Sequence, residues 1–196
     1  MAPKKILIIT GDYTEDYETY VPIQVFQLVG HTVHIVSPGK KNGDYVISAV
    51  HDFLPGEQTY TELRGHRIAI NYNFDEVNPS DYDGLFIPGG RAPEFLRLNA
   101  RVIEIVKAIY ERKAVIGTVC HGPQILVAAG ILKGVCATAY PACEPELVLG
   151  GCSFKSIPVD QHVLDKEHKI VTGPAWPSHP AVLRSFLELL GTTITP

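Results

Sequence analysis

The chain has 196 residues, 45% hydrophobic and 19% charged, with apolar runs from end to end; this composition excludes disorder outside the termini and lets the chain bury a sizeable core. No Pro/Gly/Ser-rich or like-charged stretch divides it, so one domain over residues 1–196 is expected. The formal net charge of -4, with no basic cluster beyond Lys40-Lys41, argues against nucleic acid or an anionic membrane as a partner and leaves a small molecule or another subunit.

In chain order, the run Ile6-Leu7-Ile8-Ile9 reads as a strand closed by Thr10-Gly11-Asp12. A helical pattern through Val21, Val25, Leu28 and Val29 stops at Gly30, and a second strand spans His31 to Val36, giving β-α-β with a parallel pairing. Residues 40–76 read as an irregular excursion, with short strands near Tyr45–Ser48 and Ile68–Ile70. The sheet pattern returns with Gly84–Ile87, then a helix over Val102, Ile103, Val106 and Ile109. The strand Ala114–Val119 runs directly into Cys120 and a helix from about Gln124 to Ala129. A strand at Ala137–Tyr140, a helix at Glu144–Leu149, a polar hairpin region to Thr172 and a last amphipathic helix, Ala181–Leu190, complete the order. Strands alternating with helices predict a doubly wound three-layer sandwich around a mostly parallel sheet. The apolar run behind Met1-Ala2-Pro3-Lys4-Lys5 is too short for a secretory leader or a membrane span, so a cytoplasmic location is expected.

Reactive sites in such sheets gather outside the carboxyl ends of the strands, and three unusual segments fall there. Cys120 sits between a buried strand and a helix with no intervening loop, the strand-nucleophile-helix elbow of hydrolases with sulfur in place of oxygen. Unpaired N–H groups at a helix start favour an anion, so a thiol there is expected to ionise more easily than a free cysteine. The plainer alternative is a small core residue. His121, Gly122 and Pro123 favour the first reading, since Gly122 permits close approach and Pro123 suits a first helical turn.

The second segment, Gly11 to Glu18, carries acids where the first helix begins. Glu15 and Asp16 are read as opposing the helix dipole. Glu18 lies a turn further in, beside Val21 and Pro22, where a carboxyl needs a partner and Cys120 could supply it. Protonated, Glu18 would donate to the sulfur; ionised, it would take a proton from a substrate carbon. The third segment is Ile87-Pro88-Gly89-Gly90-Arg91-Ala92-Pro93-Glu94, whose paired glycines could serve an oxyanion site or a plain turn. Glu94 suits a first helical turn or a partner for histidine.

His31 and His34 are read as structural; His51, His66, His162 and His168, in polar connections, as solvated. His179, in the loop before the last helix, and Trp176 are candidates to line a pocket. Cys136, Cys143 and Cys152 read as packing residues, since four cysteines without C-x-x-C spacing form neither a disulfide framework nor a zinc knuckle. There is no G-x-G-x-x-G after a strand, no Walker loop and no His/Cys set with metal spacing, so neither cofactor nor metal is expected.

Ile87 to Glu94, Val119-Cys120-His121-Gly122-Pro123-Gln124 and Glu15-Asp16-Tyr17-Glu18 together resemble the ThiJ/PfpI superfamily, over essentially the whole chain. Gly11-Asp12-Tyr13, Val50-His51-Asp52-Phe53, Arg64-Gly65-His66 and Asn73 to Val77 look like its plant members described as glutathione-independent glyoxalases, which carry two such domains in tandem. The resemblance implies a flavodoxin-like α/β/α sandwich of the class I glutamine amidotransferase kind, with Cys120 as nucleophile and Glu18 hydrogen-bonded to its sulfur. It implies His121 as a proton-transfer group, Glu94 orienting that histidine from across a subunit contact, and the N–H groups of Gly90 and His121, with Gly89 alongside, as the oxyanion site. It also implies a homo-oligomer, either a dimer or a hexamer built as a trimer of dimers.

Three functions fit these residues. A glyoxalase III type lyase would convert methylglyoxal and glyoxal to lactate and glycolate through a Cys120 hemithioacetal. A PfpI-like cysteine peptidase, amidase or protein deglycase would use the same residues through an acyl enzyme. A redox-sensing or chaperone-like protein would oxidise Cys120 to a sulfinic acid stabilised by Glu18. The first is preferred, because His121 beside the sulfur favours catalysis and the sequence offers no long groove for a polypeptide.

Overall fold

The computed structural model describes residues 2–193. Strands β1 (Lys5–Ile9), β3 (Thr32–Val36), β6 (Gly84–Ile87), β7 (Val115–Val119), β10 (Val163–Asp165) and β11 (Ile170–Gly173) form one sheet in the order β10-β11-β7-β6-β1-β3. Every pairing is parallel except β10 with β11, the hairpin read at the polar segment. The period of two along each strand divides the core. Leu7, Ile9, Leu85, Ile87 and Ile116 face α3 (Ala100–Glu111) and α4 (Pro123–Ala128), whereas Ile6, Ile8, Phe86, Val115 and Val171 face α1 (Asp16–Leu28) and α6 (His179–Leu189).

From β1 the chain crosses through α1 to β3 on one side, and later returns to place β6 on the other side of β1. This reversal opens a crevice at the carboxyl ends of β1 and β6, the position where open α/β sheets bind ligands. The connections after β1, β6 and β7 meet there.

The excursion is more ordered than its sequence suggests. β4 (Tyr45–Asp52) and β5 (Thr61–Ala69) form a long antiparallel hairpin, and β4 also pairs in parallel with the two-residue strand β2 (Thr14–Glu15) that precedes α1. The short strands expected at Tyr45–Ser48 and Ile68–Ile70 are thus ends of longer ones. Their exposed faces break the apolar pattern, because only alternate residues such as Val46 and Ile68 reach the core. The strand expected at Ala137–Tyr140 shrinks to β8 (Cys136–Ala137), paired with β9 (Ser153–Phe154), since the chain turns at Pro141 before α5 (Glu144–Leu149). An additional short helix, α2 (Ala92–Leu96), follows the Gly-Gly turn. Among the described residues no helix is long and apolar enough to cross a membrane.

Candidate active site

Cys120 stands at the end of β7 with φ of 58°, a left-handed conformation rarely taken by a residue with a side chain. Two backbone bonds hold it there: its N–H donates to the Gly173 carbonyl at 3.0 Å, and its own carbonyl accepts from Tyr140 N–H at 2.9 Å. Pro123 then opens α4, as the sequence suggested. The turn brings Cys120 Sγ to 3.2 Å from His121 Nδ1.

Glu18 reaches the same point from α1. It shares the inward stripe of that helix with Pro22 and Phe26, at spacings of four, and is fully buried. Its Oε2 accepts the Gly89 N–H at 2.8 Å, and the Cys120 side chain and Trp176 N–H also act on the carboxylate. Oε1 is buried and closes no hydrogen bond of ordinary geometry. Gly89 is required by this approach, because a Cβ there would lie 2.5 Å from Glu18 Oε2 and 2.6 Å from Cys120 Cβ. Gly90 has φ of 74° and leaves no room for a side chain beside Glu15 N and Tyr13 O.

Burial dominates the electrostatics. It pushes Glu18 well above the usual carboxylate range, and the neighbouring Glu15 pushes it further. Burial likewise pushes the Cys120 thiol up, with the charge of Glu18 adding to it, while the N–H groups of Gly90 and His121 pull it down. This corrects the expectation that the helix start alone ionises the sulfur: Cys120 is only 5% exposed. Two adjacent anions in a dry site repel, and burial alone already favours the neutral form of each, so Glu18 and Cys120 do not ionise together. When Glu18 keeps its proton, the sulfur is spared that repulsion and faces the N–H groups of Gly90 and His121. Burial also holds His121 down at about 4, with His51 pushing the same way, so its imidazole is neutral at pH 7.

The rest of the enclosure comes from segments far apart in sequence. Tyr140 stacks on His121 at 4.9 Å between ring centroids, and Tyr60 meets the same ring edge-on at 6.2 Å. Phe53 lies 5.9 Å from Tyr60 and 5.7 Å from Trp176. Together the tip of the β4–β5 hairpin and the segment after β8 gather aromatic rings around His121, the neighbour of the sulfur. Alternation of apolar residues carries no trace of this cover, since Phe53 and Tyr60 stand at the two ends of a mostly polar turn.

Several expectations fail here. His51, read as solvated, is 4% exposed; its Nε2 pairs with Glu62 Oε2 at 3.1 Å, and Glu62 in turn meets Arg91 at 3.2 Å. Glu15, read as a dipole-opposing acid, does cap α1 but is 1% exposed. His162 and His168 are half-buried rather than solvated, bonded to Ser185 and Asp165 at 2.8 and 2.9 Å. His66 is exposed, as read, and pairs with Asp16.

Glu94 lies on α2, exposed, beside a cavity of about 500 Å³ that also touches Gly11, Tyr13 and Arg91. Within one chain it is not hydrogen-bonded to His121, whose Nδ1 faces the sulfur. His179 is the first residue of α6 rather than part of a loop. With Trp176, Tyr17, Val21 and Leu183 it borders a cavity of about 790 Å³ between α1 and α6, which does not include Cys120, Glu18 or His121. Among the described residues no three His, Cys, Asp or Glu side chains are grouped as metal ligands.

A family model described as "DJ-1/PfpI family" matches residues 4–189. Over 195 residues the chain is 47% identical to Protein DJ-1 homolog D of Arabidopsis thaliana, covering 99% of itself and 50% of that protein; it thus spans about half the relative's length. It is 34% identical to Deglycase PfpI of Pyrococcus furiosus, covering 95% of itself and 99% of that protein. The structure of Drosophila melanogaster DJ-1beta superposes with a TM-score of 0.77 at 20% identity, over 97% of this chain and 92% of that one.

Proposed function

Since the chain belongs to the DJ-1/PfpI family, we propose that it is a cysteine-dependent glyoxalase of the glutathione-independent kind, converting methylglyoxal to lactate and glyoxal to glycolate. The observation that carries this reading is the buried Glu18 carboxyl set against the Cys120 sulfur, with one oxygen that closes no hydrogen bond of ordinary geometry. A carboxyl so placed can hold a proton and hand it over within a closed space, which an internal oxidation-reduction of a two- or three-carbon aldehyde requires.

The Cys120 thiolate adds to the aldehyde carbon, forming a C–S bond as the carbonyl π pair moves onto oxygen. That oxygen takes the Glu18 proton near the N–H groups of Gly90 and His121. Glu18, now a carboxylate, removes the hydrogen on the same carbon as a proton, giving an enediolate; the hydroxyl proton of the first carbon passes to the neighbouring oxygen, and Glu18 returns the abstracted proton to the neighbouring carbon. The first carbon is thereby oxidised to a thioester and the second reduced to an alcohol, with no external electron acceptor. Water attacks the thioester, the C–S bond breaks, and Cys120 leaves as thiolate. Neutral His121 is the group that takes the water proton.

A second reading, removal of aldehyde adducts from proteins, is favoured by the name of the Pyrococcus relative, which the chain matches over nearly that protein's full length. A cysteine only 5% exposed, beside a His121 ring flanked by Tyr60 and Tyr140, suits a free small aldehyde better than an adduct on a folded protein. Purified protein without glutathione or added metal should form lactate from methylglyoxal, and Cys120→Ala should not. Release of protein-bound adducts with no turnover of the free aldehyde would select the second reading.

A further inference from the structure

Glu15 is the second carboxyl at this site, and none of the steps above uses it. Its Oε2 accepts the Glu18 N–H at 2.7 Å, and the N–H groups of Tyr17 and His51 act on the same carboxylate. Its own N–H donates to the Gly89 carbonyl at 3.2 Å, while the Gly89 N–H donates to Glu18 at 2.8 Å. One glycine therefore ties the two acids together. Both are buried, at 1% and 0% exposure, so they cannot both carry charge cheaply. The buried oxygen that closes no hydrogen bond of ordinary geometry belongs to Glu18, not to Glu15. Glu15 receives three backbone N–H groups, from Tyr17, Glu18 and His51, against two on Glu18, from Gly89 and Trp176, so the charge is favoured on Glu15 and the proton on Glu18.

We propose that Glu15 is a positioning residue: its buried carboxylate keeps the proton on Glu18, so that Glu18 stands as donor to the Cys120 sulfur and the sulfur carries the site's other charge. The charged and titratable groups around it are few. Asp16, beside it, is engaged with Ser48 and His66. Glu18 faces it from α1, and His51 faces it from β4, with Glu62 and Arg91 beyond. Burial raises Glu15 to about 7, so the device switches on as pH rises through neutrality.

The inference rests on the reading in which Glu18 holds a proton for the sulfur, but its test needs no aldehyde. The rate of Cys120 alkylation is followed by peptide mass spectrometry from pH 6 to 9 in wild type, Glu15→Gln and Glu15→Asp. Glutamine keeps an oxygen for the cap and removes the charge, so Glu18 should ionise and the thiol should retain its proton. Alkylation at pH 8 should then fall about tenfold. Aspartate keeps the charge and should retain most of the rate, even if its shorter side chain lowers the melting temperature. Equal alkylation rates in wild type and Glu15→Gln across the range would overturn the proposal, as would loss in Glu15→Asp equal to that in Glu15→Gln. Failure to form lactate while the alkylation pattern holds would reject the glyoxalase reading and leave this one standing.

Discussion

Cys120 Sγ and His121 Nδ1 lie 3.2 Å apart although the residues adjoin in sequence. Neighbours on an extended strand point to opposite faces. The left-handed φ of 58° at Cys120 breaks that alternation and turns both side chains to one side. Backbone strain is thus part of how the site is built.

Replacing His121 by Asn should separate the two halves of the proposed reaction. Addition and proton transfer depend on Cys120 and Glu18, whereas thioester hydrolysis depends on the imidazole. We expect kcat to fall by roughly 10²–10⁴, with a rapid first turnover in stopped-flow assays followed by slow release. Because His121 is held at about 4, it stays neutral down to that range; its contribution should be flat from pH 7 to 5 and lost as pH falls through 4.

Gly89→Ala should remove activity by closing the gap between Glu18 and Cys120, since the new methyl would lie 2.5 Å from the carboxylate and 2.9 Å from His121 N. Overpacking of this kind costs about 1–3 kcal/mol. Denaturant unfolding should show a loss in that range and lactate assays a loss of at least about 100-fold, reflecting displaced catalytic groups.

Tyr60→Ala should open the aromatic cover without touching the elbow. The Tyr60 ring stands edge-on to His121 and lies tilted against His51 at 4.6 Å between centroids. Cys120 should react faster with a bulky thiol reagent, while KM for methylglyoxal rises and the melting temperature changes little. An unchanged reagent rate would show that these rings do not gate the sulfur.

His179 lies outside the site, buried, with Nε2 unpaired, and burial holds it down at about 4. The unfolded chain binds this proton below about 6.5, the folded chain only below about 4, so its presence costs stability as pH falls between those values. His179→Leu should unfold at higher denaturant than wild type at pH 7. The margin should widen towards pH 4 by on the order of 2–3 kcal/mol.

The sheet was legible because β1, β6 and β7 are apolar runs closed by glycine or by Cys120 itself, and burial on both faces leaves little else that such runs can be. The elbow was legible because no loop separates Val119, Cys120 and Pro123. Glu18 could be placed inside because it lies a turn into the first helix, beside Val21 and Pro22. His51, Glu15 and the ring cover were not legible. Each is buried by a hairpin whose sequence alternates weakly and whose tip touches the site only after long-range folding. The direction of the Cys120 shift was missed for the same reason: a helix start is visible in sequence, but the dry surroundings that outweigh it are not.

The most direct measurement is the mass of the Cys120 peptide from His121→Asn protein mixed with methylglyoxal and quenched within one turnover. Covalent gain of one methylglyoxal unit on Cys120, disappearing as lactate forms, is the expected result. Lactate released while that peptide stays unmodified, or an adduct confined to Cys136, Cys143 or Cys152, would contradict a Cys120-bound intermediate.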